Sequence, residues 1–94
     1  MTPAEIEALR AASRYRVALL DGHVPPELRL IWDRLFGYMI DGGTGAIEAQ
    51  ARLAMWLTDY VPALRGVPFL IVLQRGPAGV AQVERVFTGH DAYF

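Results

Sequence analysis

Apolar residues recur every three or four positions through the first sixty residues, the period of helices that bury one side. Thr2, Pro3 and Glu5 open the first segment as N-cap, first-turn proline and capping-box acid. The helix is predicted to run to about Leu20, where Asp21-Gly22 and the Pro25-Pro26 pair stop it. Two apolar sides are written on this one helix. Ala8, Ala12, Tyr15 and Leu19 share the first, while Ile6, Leu9, Val17 and Leu20 share the second. Arg10 and Arg14 form an exposed ridge with Glu7. Such a helix is either central in its own bundle or turns one side to another molecule.

A second helix is predicted over residues 26–40. Leu28, Ile31, Trp32, Leu35, Phe36 and Met39 form its inner stripe, and Leu30 falls among the polar positions and should be exposed. A third helix is predicted over residues 45–60, with Ile47, Ala51, Ala54, Leu57 and Val61 inward, joined by Leu53, Trp56 and Tyr60. Glu48 and Arg52 are a favourable i,i+4 pair, and Met55 interrupts the polar strip that Asp59 continues. A helix this apolar is expected at the centre.

The stretch between these helices, IDGGTGAIEAQ, looks like a phosphate cradle. It follows a helix rather than a strand, however, and the third glycine of a dinucleotide fingerprint would fall on Glu48. It reads instead as punctuation, with Gly42 past the end of one helix, Gly43 a joint and Thr44 the N-cap of the next.

The period then changes. Residues 67–74, VPFLIVLQ, are apolar and partly β-branched with Pro68 inside, which favours a buried strand. RGPAG at residues 75–79 is turn chemistry, and residues 80–87, VAQVERVF, fit a second strand, with a helix as the competing reading. The predicted fold is α+β: a three-helix bundle followed by a C-terminal β-hairpin, in a single domain over residues 1–94.

Composition narrows the function. The chain has 53% hydrophobic residues, and counting its nine glycines but not its four tyrosines gives an apolar fraction of about 59%, against roughly 45–50% for ordinary domains. A chain of 94 residues has a small core. Part of this apolar surface should therefore meet a partner. The net charge is −1, with no cysteine, and all nine basic residues are arginine. These counts exclude disulfides, thiolate metal sites, cysteine nucleophiles and lysine chemistry. The bias toward Arg, Ala, Gly and Val matches a high-GC bacterial or phage gene. No membrane-length apolar run or leader is visible, so a cytoplasmic setting is expected.

Candidate chemistry is thin. Asp21 and His23 in one loop and His90 and Asp91 near the end are metal-ligating types, but their spacing carries no metal signature, and no metal or cofactor is expected. Ser13 is mid-helix with no strained turn to activate it. Three helices before a hairpin resemble the layout of winged-helix DNA-binding domains, although the third helix offers only Gln50 and Arg52 beside Glu48 and Asp59. The preferred expectation is a non-enzymatic protein-binding module, a small accessory or inhibitor protein or a homo-oligomer. Its candidate contact residues are Arg10, Arg14, Leu30, Tyr38, Met55, Tyr93 and Phe94, which lie off or at the edge of the core stripes or at the terminus.

Overall fold

The computed structural model describes residues 2–89. It holds α1 (Pro3–Leu20), α2 (Arg29–Asp41), α3 (Ala46–Thr58), α4 (Pro68–Arg75) and α5 (Pro77–Thr88). Short 3-10 turns at Pro26–Leu28 and Pro62–Leu64 precede α2 and α4. The start of α1 is as the sequence predicts: Thr2 Oγ1 accepts from the Glu5 N–H at 3.2 Å. Asp21 caps its end, and Gly22 follows at φ +81°. At the other loop the left-handed position is Gly43, φ +96°, rather than Gly42. The N-cap of α3 is Gly45 instead of Thr44.

The predicted C-terminal β-hairpin is not present, and the α+β assignment is corrected to all-α for the described residues. The only β-type pairing among them is an isolated bridge from Val61 to Gly66. Prolines explain the difference. Pro68 and Pro77 each stand in the first turn of a helix, where a missing N–H costs no hydrogen bond. Gly76, at φ +57° and ψ −132°, reverses the chain between α4 and α5 in a conformation that side chains resist. Phe69, Ile71 and Val72 from α4 and Val80 and Val83 from α5 then enter one core. That burial outweighs the modest strand preference of β-branched residues.

Gly79 allows the two helices to approach closely. A Cβ built there would meet the Ile71 carbonyl oxygen and lie 3.0 Å from the Ile71 carbonyl carbon. Helix α3 is central, touching α1, α2 and α4. Leu53, Ala54 and Leu57 of α3 are fully buried, as are Leu28, Ile31 and Leu35 around α2. Arg34 on α2 holds both carboxylate oxygens of Glu84 on α5, at 3.1 and 3.2 Å.

Candidate functional site

Helix α1 meets the rest of the molecule along one side only. Leu19 is its single fully buried side chain, with Ala11, Ala12 and Tyr15 packed partly against the core. The Tyr15 ring lies 4.8 Å from that of Phe69, and its hydroxyl donates to Glu27 at 2.9 Å. Burial, and then the bond to Glu27, raises the Tyr15 phenol above its usual value.

Two polar ties fix α1 against α3. Gln50 Nε2 donates to the Leu20 carbonyl at 2.9 Å, satisfying an oxygen that the helix end leaves free. Arg16 donates through Nε to Thr58 Oγ1 at 2.8 Å and through Nη2 to the Thr58 carbonyl at 3.2 Å. It also approaches Asp59 at 3.3 Å. These ties run from Leu20, the last residue of α1, to Gln50 in the first half of α3, and from Arg16, four residues earlier, to Thr58 at the end of α3. The two helices are therefore antiparallel.

The second apolar side of α1 is left bare. At 100° per residue, Ile6, Leu9, Ser13, Val17 and Leu20 share a sector of about 80°. They lie beyond Arg16, on the outside of the pair. Leu9 is 58% exposed and Val17 61%. On α3 the arc next to Thr58 carries Ile47, Ala51 and Met55, with Tyr60 following the helix. Ile47 is 90% exposed. Sequence spacing had placed Ile47, Ala51 and Tyr60 in the core, but α3 starts at Ala46, and its buried sector is centred on Leu53 and Leu57. Between α1, the end of α3 and α4 runs an open groove of ≈ 570 Å³, lined in part by Leu9, Ala12, Ser13, Tyr60, Val67 and Leu70. Glu5, Thr58 and Asp59 also line it, and its one arginine, Arg16, is held by Thr58 and Asp59.

The contact residues expected from sequence are divided among elements. Arg10 and Arg14 border the bare stripe of α1, and Met55 belongs to the α3 part of the face. Leu30 is 54% exposed, as its pattern requires, but sits on α2. Tyr38 is also on α2, with its ring edge-on to Phe87 of α5. Tyr93 and Phe94 lie outside the described residues. The residues that sequence reasoning did not select are Ile6, Leu9, Val17, Leu20, Ile47 and Tyr60. For the first four the signal was present as the second apolar side of α1. Among the described residues no three His, Asp or Glu side chains gather as a metal site. His90 and Asp91 fall outside them. None of the described helices is long and apolar enough to cross a membrane. No family model, curated protein or solved structure matches this chain.

Proposed function

We propose that the domain works by binding another protein, as a small accessory or inhibitory module, through the outer face of α1 and α3. The observation that carries this is the run of exposed Ile6, Leu9, Val17 and Leu20 on α1, with Ile47 and Met55 also exposed on α3, the helix beside it. Scattered surface leucines are ordinary, whereas apolar residues gathered on adjoining helices mark a contact surface. Each large side chain of this face that a partner buries fully contributes about 1.5–3 kcal/mol. A few such residues supply the centre of a specific interface. The reading is non-catalytic, and the cytoplasmic setting expected from the sequence belongs to it. Winged-helix DNA binding loses its support, because that layout required the hairpin.

Affinity capture from native cell lysate tests the proposal, using the full chain and a Val17→Glu/Ile47→Glu variant. A defined protein recovered with the first and lost with the second supports it. Sedimentation equilibrium shows whether that protein is a second copy. Equal recovery by both, with the variant folded by circular dichroism, overturns it.

A further inference from the structure

The bare side of α1 has an edge of uncompensated charge. Viewed down the helix, Arg16 borders the apolar stripe toward α3, while Arg10 and Arg14 border it on the opposite side. Arg16 is bound to Thr58 and Asp59. The ion pairs of the other arginines join Arg29 to Asp33, Arg34 to Glu84 and Arg52 to Glu48. Arg10 and Arg14 make none among the described residues, and neither do Arg65, Arg75 and Arg85, but Arg10 and Arg14 are the ones that border the apolar stripe of α1. Small side chains at Ser13 and Ala18 leave shallow depressions, one lined by Ile6, Leu9, Arg10, Ser13 and Arg14, the next by Ser13, Arg14, Val17 and Ala18. From Ile6 to Leu20 the stripe extends about 21 Å, the length of a four-turn helix. Its relief is of the kind that receives the knobs of a second helix.

Apolar spacing alone does not choose between a second copy and a different partner. Ile6, Leu9, Ser13, Val17 and Leu20 are placed symmetrically about Ser13, so an antiparallel copy would match them residue for residue. The charges decide. In that dimer Arg10 and Arg14 of both copies would line the same edge beside the two-fold axis. Four guanidinium groups would gather there against only the two Glu7 carboxylates at the outer margin, a net positive edge that repels. A nucleic acid would satisfy the arginines but leave four apolar side chains without a partner.

Resting on the protein-binding reading above, we infer that α1 receives an acidic amphipathic helix. That helix presents apolar residues at three- and four-residue spacing and carboxylates along one flank, opposite Arg10 and Arg14. Helix-in-groove recognition of this kind takes its affinity from the apolar anchors and its choice of partner from the flanking charges.

The test is a displayed library of helical peptides with fixed apolar spacing and randomised flanks, selected on the full-length protein. Selections on Arg10→Glu/Arg14→Glu and on Val17→Glu run in parallel. The expected result is enrichment of peptides with Asp or Glu on one flank. Their affinity for the arginine-reversed protein should be at least about tenfold weaker, and that variant should enrich Lys or Arg flanks instead. Val17→Glu should abolish binding of both sets. Enrichment that depends on Val17 without acidic bias overturns the acidic partner while leaving the protein-binding face standing. Enrichment indifferent to Val17, or none, overturns both. A dimer in sedimentation equilibrium that Val17→Glu dissociates makes the occupant a second copy and also overturns the acidic helix.

Discussion

Replacing Gly79 by alanine tests the least anticipated feature of the fold, the close crossing of α4 and α5. Two effects oppose each other. Alanine favours a helix interior over glycine by about 0.8–1.0 kcal/mol. At Gly79, however, the new methyl would enter the Ile71 carbonyl and stand 3.1 Å from Arg75 Cβ. Relief requires the backbone of α4 to move, and overpacking of this sort costs about 1–3 kcal/mol. Gly79→Ala should therefore gain nothing from propensity and lose up to about 2 kcal/mol. Gly37, inside α2, is the control, because a Cβ there meets nothing within 4 Å. Gly37→Ala should gain up to about 1 kcal/mol from propensity alone. In a domain of this size 1 kcal/mol moves Tm by roughly 4–8 °C. Thermal and urea unfolding followed by circular dichroism should move the two variants in opposite directions. A Gly79→Ala protein stabilised as much as Gly37→Ala would refute the crossing, and with it the helical reading of residues 68–88.

Thr58→Val keeps the shape of a buried side chain but leaves Arg16 Nε without its acceptor, so urea denaturation should show a loss of about 1–2 kcal/mol. Phe69→Ala empties a fully buried site and removes the Tyr15 contact; a loss of about 3–5 kcal/mol is expected, leaving much of the chain unfolded at 37 °C. Tyr15 has a raised folded-state pKa, so the folded chain holds its phenolic proton more tightly than the unfolded chain does. The stability this confers is present below about pH 10 and is lost as pH rises through the folded value. Tyr15→Phe should flatten the decline in Tm above about pH 10, and an unchanged decline would contradict the assignment.

The helices of the first sixty residues were legible because capping, proline placement and apolar period agreed. Thr2, Gly22 and the Leu28–Ile31–Leu35 stripe are where that agreement led. The last third departs from its sequence pattern for a local reason: Pro68 opens a helix rather than lying inside a strand, and Pro77 opens the next helix rather than sitting in a turn. What tips that stretch to helix is the burial of Phe69, Ile71, Val72, Val80 and Val83 in the shared core, a long-range effect that no local pattern contains. The binding face was half legible. The two apolar sides of α1 could be read directly, but which one met the core depended on where Arg16 and Leu19 found partners. Ile47 and Tyr60 were assigned inward because a stripe drawn from spacing alone cannot show where α1 ends across α3.

A photoreactive residue placed singly at Leu9, Val17 or Ile47 in the full chain, and activated in native cells, tests the binding face most directly. A discrete protein adduct should form from these three positions and be absent from Leu73, which is exposed on α4. No adduct from the α1–α3 face, or the same adducts from Leu73, would contradict the account.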